Sequence, residues 1–280
     1  MASAERVFVM LDEKSEDNSF KTDVLEFNDE LRFNDVSFSY SEDKPLMKNM
    51  DFTVKKGSLT ALVGPTGAGK TTFVNLLMRF YDVTGGSITI DKTDIRDVPR
   101  DRLRSLFGMV LQDTWLFDGT VLDNIRYGRL SASDEEVIAA ARAARADEFI
   151  SLLPEGYNTR LDENGANISQ GQRQLITIAR ALLKDPQILI LDEATSSVDT
   201  RTELLVQDAM SEIMKGRTNF VIAHRLSTIK KADEILFIDN GSIKERGTHE
   251  ELLKKGGYYA DMYRSQFGER VSDRKLETDY

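Results

Sequence analysis

A glycine-rich stretch between residues 64 and 72 has the residue types that bind a phosphate chain. It reads G-x-x-x-x-G-K-T-T and consists of Gly64, Pro65, Thr66, Gly67, Ala68, Gly69, Lys70, Thr71 and Thr72. In this motif, called here the P-loop, glycines let backbone N–H groups converge on an anion, and the following helix N-terminus adds partial positive charge. We expect Lys70 to reach the β- and γ-phosphates and the Thr71 hydroxyl to hold Mg²⁺. The motif predicts a nucleoside triphosphate site.

The sequence around the P-loop contains the elements that must position it. Residues 60–63 form a short apolar run before the loop, and residues 72–78 carry apolar side chains at helical spacing after it. A chance match in a glycine-rich turn would lack this strand–loop–helix context. The context therefore favours a nucleotide site over a chance match.

Two adjacent acids, Asp192 and Glu193, follow the continuous apolar run at 188–191. Such a run is typical of a parallel strand buried on both faces. In P-loop proteins a strand of this kind ends in an aspartate that holds magnesium, and a glutamate next to it could polarise a water molecule. The alternative is that both acids are solvated at a strand end, which the presence of a P-loop makes the weaker interpretation.

Two other polar features lie at the ends of predicted elements. His224 follows the apolar run 220–223, and the carboxyl end of a parallel strand faces the ligand crevice, although a lone histidine is more often structural. Ser169 and Gln172 have the spacing of a capping box at the start of a helix that stops before Pro186. They indicate either a well-capped helix or a second anion site at its N-terminus.

Alternating apolar and polar residues at 31–40, 49–54 and 86–91 predict half-buried strands that form an antiparallel layer. An alanine-rich run behind a capping box at Ser133 predicts helices between about 113 and 183. The expected fold class is α/β. It combines a P-loop NTPase core with a parallel central sheet, an antiparallel β subdomain and an inserted α-helical subdomain.

Tyr40 ends the first of these strands, 30 residues before Lys70. Its ring could stack on an adenine, because aromatic faces bind other flat rings. From composition alone, a strand-end tyrosine packed on the core is the better interpretation.

The composition excludes several classes of protein. The chain has 280 residues, 40% hydrophobic residues, no cysteine and a net charge of −10. Disulfides and thiolate metal sites are therefore excluded, and the charge argues against a broad nucleic-acid-binding surface. No apolar run approaches the ~18 residues of a membrane helix, and the first residues lack a signal-peptide pattern.

Together these motifs resemble the nucleotide-binding domains of ABC transporters, and most closely the exporter type. The resemblance covers about residues 29–268, and the motifs occur in the family's order and spacing. The matching segments are the P-loop, Gln112, the signature segment Ile168-Ser169-Gln170-Gly171-Gln172, the Walker B strand ending in Asp192 and Glu193, the segment Ser196–Asp199, and His224. Each motif alone is weak, but the complete ordered set is specific.

The resemblance implies a role for each of these positions. It makes Gln112 a contact to magnesium and the attacking water, Glu193 the catalytic base and His224 the residue that senses the γ-phosphate. It places Ser169, Gln170, Gly171 and Gln172 on the nucleotide of a partner domain, puts Asp199 at the dimer interface, and reverses the preference at Tyr40 in favour of adenine stacking. The signature departs from the usual Leu-Ser-Gly-Gly-Gln at Ile168 and Gln170. Because Ser169 and Gly171 are retained, we expect function to survive.

The resemblance also predicts how the chain is organised. Residues 1–28 would be the end of a membrane-domain helix and an acidic linker, 29–268 the ATPase domain, and 269–280 a charged tail. The expected partners are a second nucleotide-binding domain, identical or homologous, and a membrane-spanning domain of the same polypeptide. No nucleic acid is expected. The excised domain would be soluble, and the full protein would lie at the cytoplasmic face of the cell membrane.

The surface around Trp115, Leu116 and Phe117 would transmit motion to the membrane helices, unless these three residues belong to the core.

Three other functions are considered. An importer ATPase would begin near residue 30, and a DNA-repair or chromosome ATPase would need a long coiled-coil insertion and a basic surface. A small-molecule kinase would leave Ser169–Gln172 and His224 without a role, and would transfer phosphate to an acceptor rather than to water.

Overall fold

The computed structural model describes residues 2–12, 20–41, 45–112, 114–192, 199–223 and 225–266. Its strands, in chain order, are β1 (Glu30–Ser39), β2 (Pro45–Lys55), β3 (Leu59–Val63), β4 (Gly85–Ile90), β5 (Thr93–Asp94), β6 (Phe107–Val110), β7 (Gly119–Thr120), β8 (Arg160–Leu161), β9 (Ile188–Asp192), β10 (Thr218–Ile222), β11 (Glu234–Asp239) and β12 (Ser242–Gly247).

The helices, in chain order, are α1 (Ala2–Asp12), α2 (Lys70–Leu77), α3 (Arg100–Ser105), α4 (Val121–Arg126), α5 (Asp134–Ala143), α6 (Asp147–Ile150), α7 (Gln170–Lys184), α8 (Thr200–Met214), α9 (Leu226–Lys231) and α10 (His249–Lys255). Residues 258–266 are also helical. Among the described helices, none combines the length and the apolar character needed to cross a bilayer.

The central sheet has six strands in the order β12–β11–β3–β10–β9–β6. The five from β11 to β6 are parallel, and only β12 runs antiparallel to its neighbour. All five residues of β10 and the first four of β9 are buried, as expected for strands covered on both faces. In the register, Ile222 pairs with both Leu62 and Asp192, so the carboxyl ends of β3, β10 and β9 are adjacent. The P-loop and Asp192 both lie at this edge of the sheet.

A second sheet, of order β2–β1–β4–β5, is antiparallel throughout, which confirms the predicted antiparallel layer. Helix α2 lies between the two sheets. The Phe73 ring of α2 is 4.9 Å from Phe33 of β1 and 5.4 Å from Phe220 of β10, measured between ring centroids. The helix that follows the P-loop is therefore fixed by aromatic packing on both sides.

The described residues between β6 and β9 contain four α-helices, α4 to α7, which confirms the predicted fold class. The capping box at Ser133 is present, with the Ser133 hydroxyl accepting from the Glu136 N–H while the Glu136 carboxylate accepts from the Ser133 N–H. Helix α7 ends at Lys184, just before Asp185 and Pro186, as the sequence predicts.

One part of the predicted linker is packed rather than exposed. Phe27 is only 1% exposed and belongs to the core formed by the antiparallel sheet and α2. The N–H groups of Asn28, Asp29 and Glu30 donate to the Asp91 carboxylate. The packed part of the chain thus begins before the predicted boundary at residue 29, because burying the Phe27 ring outweighs the acidic character of its neighbours.

Candidate nucleotide-binding site

The P-loop joins β3 to α2 and uses three glycines in conformations that other residues rarely adopt. The φ angles of Gly64, Gly67 and Gly69 are 151°, 80° and 110°. A Cβ atom on Gly64 would lie 2.0 Å from the carbonyl oxygen of Ile238, so this position has no room for a side chain. The sequence therefore places glycine where the loop must curl against the neighbouring strand.

Lys70 folds back across the loop. Its Nζ atom donates hydrogen bonds to the carbonyl oxygens of Gly64 at 2.7 Å and Pro65 at 2.9 Å. Burial lowers the pKa of Lys70, and the nearby Asp192 carboxylate partly offsets this effect. A partly desolvated ammonium held at the loop is well placed to bind phosphate oxygens.

A cleft of about 370 Å³ lies beside the P-loop at the carboxyl edge of the central sheet. It is lined by Leu46, Thr66, Gly67, Gly69, Lys70, Thr71, Thr72, Gln112, Asp192 and Ile222. The three residues that the sequence assigns to magnesium, Thr71, Gln112 and Asp192, are therefore brought together. Carboxylate, hydroxyl and amide oxygens are the donor types that Mg²⁺ prefers.

The surroundings of Asp192 give an independent sign that this cleft suits a cation. Its Oδ1 atom is buried and has no hydrogen-bond partner among the residues that the structure describes. A buried carboxylate oxygen without a partner is costly, and a bound metal ion would remove that cost. The donor set and this oxygen together fit Mg²⁺.

Tyr40 lies next to the P-loop helix rather than in the core. Its side chain is 51% exposed, and its hydroxyl is 3.3 Å from the Thr72 Oγ1 atom. A half-exposed aromatic face beside a phosphate cradle can stack on a nucleotide base, whereas a core tyrosine could not. The exposure thus favours the adenine-stacking hypothesis, which stays a prediction.

The predicted second anion site is at the start of α7. Ser169 caps this helix, because its Oγ accepts from the Gln172 N–H at 3.2 Å while the Gln172 Oε1 accepts from the Ser169 N–H at 2.9 Å. Ser169, Gly171 and Gln172 do not line the P-loop cleft. Gln170 lines a neighbouring cleft of about 310 Å³ that also includes Gln112. Within one chain, the signature segment therefore does not complete the P-loop cleft.

Glu193, His224 and the residues 196–198 lie outside the described residues. Asp199, the last residue of the predicted interface segment, is exposed and caps α8. Its carboxylate accepts a 3.0 Å hydrogen bond from the Thr202 N–H, and this bond holds the pKa of Asp199 below its ordinary value.

The structure adds a contact that the sequence analysis missed. The turn between β11 and β12 touches the P-loop, with the Gly241 N–H donating to the Ala68 carbonyl at 3.0 Å. The Gly241 carbonyl in turn accepts a hydrogen bond from the Lys48 N–H at 3.2 Å. The sequence Asp239-Asn240-Gly241 signals a tight hairpin. No local pattern, however, could place that hairpin against a loop about 170 residues earlier in the chain.

Gly241→Ala is expected to destabilise the fold well beyond the cost of a positive φ angle. A Cβ atom at Gly241 would lie 1.4 Å from the Leu46 carbonyl oxygen, whereas one at Gly57 would meet no atom within 4 Å. Both residues have positive φ angles, 67° and 81°, so Gly57→Ala is a matched control. We expect Gly57→Ala to cost about 1 kcal/mol and Gly241→Ala at least ~2 kcal/mol more in urea unfolding. Equal losses would show that the close approach of Gly241 to the Leu46 carbonyl does not restrict this position.

The loop before β7 places Trp115, Leu116 and Phe117, which the sequence groups as one surface, in different environments. Leu116 is fully buried and belongs to the core, so for this residue the surface interpretation is wrong. Trp115 is 55% exposed, and its ring lies 6.0 Å from Phe117 and 6.3 Å from Tyr127. These three aromatic residues, Trp115, Phe117 and Tyr127, form a surface cluster, called here the aromatic patch.

Arg180 connects the aromatic patch to α7. Its guanidinium donates to the Trp115 carbonyl at 3.0 Å and to the Asn124 carbonyl at 2.8 Å, and it lies 5.4 Å from the Tyr127 ring centroid. Because α7 begins at the signature segment, one helix joins that segment to the aromatic patch.

Comparisons with known proteins show which proteins the chain is similar to. The ABC transporter family model matches residues 47–196. The chain is 54% identical over 265 residues to the fatty acid ABC transporter ATP-binding/permease protein of Mycobacterium tuberculosis, covering 95% of this chain and 42% of that protein. It is 52% identical over 268 residues to the ATP-dependent lipid A-core flippase of Desulfotalea psychrophila, covering 95% and 47%.

A solved structure is similar over nearly the whole chain. The structure of a bacterial Atm1-family ABC exporter with ATP bound superimposes with a TM-score of 0.85 and 42% identity, covering 94% of this chain and 46% of that one. The chain thus spans less than half the length of each protein it matches here.

Proposed function

The chain belongs to the ABC transporter family as an ATP-binding domain of the exporter type, and on this basis we propose that it works as half of a pair. Two such domains, identical or homologous, would pack head to tail around two MgATP molecules. Closing and reopening of the pair would drive a membrane-spanning domain that exports a substrate, with the ATPase at the cytoplasmic face of the membrane.

The observation that carries this proposal is the division of phosphate-binding groups within one chain. Lys70, Thr71, Gln112 and Asp192 share one cleft, whereas the capped N-terminus of α7 at Ser169 lies outside it. A helix N-terminus has free N–H groups and partial positive charge, so it suits the γ-phosphate of a nucleotide held by another chain. It could take the part that an arginine finger plays in other nucleotide hydrolases.

The polar groups of the cleft and two residues named by the sequence resemblance have separate tasks in this proposal. The P-loop N–H groups and Lys70 bind the phosphate chain and offset its negative charge. Thr71, Asp192 and Gln112 would hold Mg²⁺, which when bound neutralises charge on the phosphate oxygens. Glu193 would orient and deprotonate the attacking water, and His224 would hold the γ-phosphate; both assignments rest on the sequence resemblance.

The aromatic patch is the proposed contact with the membrane-spanning domain. Exposed aromatic rings are enriched at protein interfaces, and Trp115 and Tyr127 are each 55% exposed. Through Arg180, the patch is bonded to the same helix that carries the signature segment. A shift of α7 on ATP binding would therefore move the patch. The fatty acid and lipid A-core names belong to relatives that match in the ATP-binding part, so no cargo is assigned.

The rival functions fit the described residues less well. A coiled-coil ATPase would need long helices between β6 and β9, and the longest described helix there is α7 with 15 residues. A kinase would have no use for a capped, exposed Ser169.

Phosphate release separates an ATPase from a kinase. We expect the 280-residue chain to release inorganic phosphate from ATP in Mg²⁺-containing buffer without any acceptor, and to lose this activity when Mg²⁺ is removed by chelation. The measurement is phosphate produced per ADP formed, with a Lys70→Ala chain as the blank. ADP formation that requires an added acceptor and yields no free phosphate would overturn the proposal in favour of a kinase.

A further inference from the structure

The hydroxyl of Tyr40 is held by the P-loop helix. It lies 3.3 Å from the Thr72 Oγ1 atom, and it accepts a 3.1 Å hydrogen bond from the Asn75 Nδ2 atom. Thr72 and Asn75 are three residues apart on α2, so they lie on the same face of that helix. Thr72 is 6% exposed, which makes this hydroxyl pair partly desolvated. Since an aromatic ring rotates about the axis through its hydroxyl, two bonds at that atom fix its tip but not the tilt of its faces.

Two neighbouring rings fix the tilt. Phe38 and Tyr81 pack against Tyr40 at centroid distances of 4.8 Å and 4.9 Å, with interplanar angles of 85° and 86°. Both angles are near the perpendicular arrangement that aromatic pairs favour. Tyr81 comes four residues after the end of α2. The short segment between α2 and Tyr81 is anchored by Arg79, whose guanidinium donates hydrogen bonds to the carbonyls of Ile95 and Val98. The ring of Tyr40 is thus held at its tip and its sides, while 51% of the side chain stays exposed.

We propose that Asn75, Thr72 and Tyr81 are positioning residues that fix the Tyr40 ring relative to the P-loop, so that one helix sets the spacing between the purine platform and the phosphate cradle. The inference rests on the proposed function, which makes ATP the ligand, and on the prediction that Tyr40 stacks on the adenine. It gives the Thr72 hydroxyl a task apart from phosphate binding. It also assigns a task to Asn75, whose side-chain amide has no other hydrogen bond among the described contacts.

The positioning role has an energetic signature that a purely structural role lacks. A ligand with a base should lose affinity when Tyr40 is free to turn, because part of the binding free energy then goes into ordering the ring. A ligand that consists of phosphates alone should not, because it does not touch the ring. Removing the Asn75 amide breaks one of the two hydrogen bonds of the Tyr40 hydroxyl, whereas removing the hydroxyl breaks both. The effect of the first change should therefore be contained in the effect of the second.

The test compares ATP with inorganic tripolyphosphate as ligands of the 280-residue chain, using isothermal titration calorimetry. We expect Asn75→Ala to weaken ATP binding about threefold, Tyr40→Phe to weaken it at least about threefold, and the double variant to bind no more weakly than Tyr40→Phe alone. Tyr40→Ala should weaken ATP binding at least about tenfold. Tripolyphosphate affinity should be unchanged in all four variants.

The outcomes separate the positioning role from the stacking role, and neither result bears on the phosphate-release test of the proposed function. If Tyr40→Ala weakens ATP binding but Asn75→Ala and Tyr40→Phe do not, the stacking role stands and the positioning role is overturned. If Tyr40→Ala leaves ATP binding unchanged, the stacking role fails and the positioning role fails with it. Equal losses for ATP and tripolyphosphate in Asn75→Ala would show a damaged P-loop and would also overturn the inference.

Discussion

Glu193→Gln is expected to lower ATP turnover at least ~100-fold, which corresponds to about 2.7 kcal/mol of barrier, while MgATP binding is retained. Glutamine has nearly the shape of glutamate but no carboxylate, so it cannot accept the proton of the attacking water. Asp192, the preceding residue, keeps its place in the P-loop cleft, and with it the proposed magnesium contact. The loss should therefore appear in kcat rather than in nucleotide affinity.

The measurement is steady-state phosphate release, together with ATP affinity from calorimetry. Asp208→Asn is the matched control, because Asp208 is an exposed acid on α8 away from the P-loop cleft, and we expect its turnover to stay within about twofold of the parent chain. Near-normal turnover in Glu193→Gln would remove Glu193 from the catalytic role.

Ser169→Asp is expected to prevent ATP-dependent pairing without unfolding the helix that it caps. Aspartate is as good an N-cap as serine, so the bond to the Gln172 N–H is retained. The new carboxylate would face the γ-phosphate held by the partner's P-loop, and like charges brought together cost several kcal/mol. We expect the dimer dissociation constant to rise at least ~100-fold in MgATP.

The structure contains a close control for this substitution. Ser133 caps α5 with the same reciprocal bonds, here to Glu136, and it belongs to the helical part of the chain away from the P-loop cleft. Ser133→Asp should leave pairing unchanged. ATP binding to the separated chain should survive in both variants, because the P-loop alone provides it. Equal weakening of the dimer by both substitutions would show a general effect of added charge on pairing.

Much of the fold follows from patterns that are local in the chain. The buried run 188–191, the capping boxes at Ser133 and Ser169, and the turn at Asn240-Gly241 each specify their element within a few residues. The P-loop likewise specifies its strand and helix, because its glycines and lysine work only in that context. The structure contains both the predicted antiparallel layer and the predicted parallel central sheet.

The features that could not be predicted from the sequence are contacts between segments that are distant in the chain. Gly241 braces the P-loop through a backbone bond to Ala68, and backbone bonds leave no trace in side-chain patterns. Phe27 is buried although its neighbours are acidic, because the ring packs into the core that the antiparallel sheet and α2 form. Trp115 and Leu116 are adjacent in sequence, yet one is exposed and the other is in the core. In each case the deciding partner is far away in the chain.

Oligomeric state in the presence of nucleotide tests the central claim most directly, because the claim is that each ATP site is shared by two chains. The Glu193→Gln chain, which should bind MgATP without turning it over, is analysed by sedimentation velocity over a range of concentrations with MgATP and with MgADP. In MgATP we predict a dimer that holds two ATP molecules. This dimer should dissociate in MgADP, and it should not form when the chain also carries Ser169→Asp. A chain that stays monomeric at high concentration in MgATP, or a dimer that forms equally well with Ser169→Asp, would contradict the shared site.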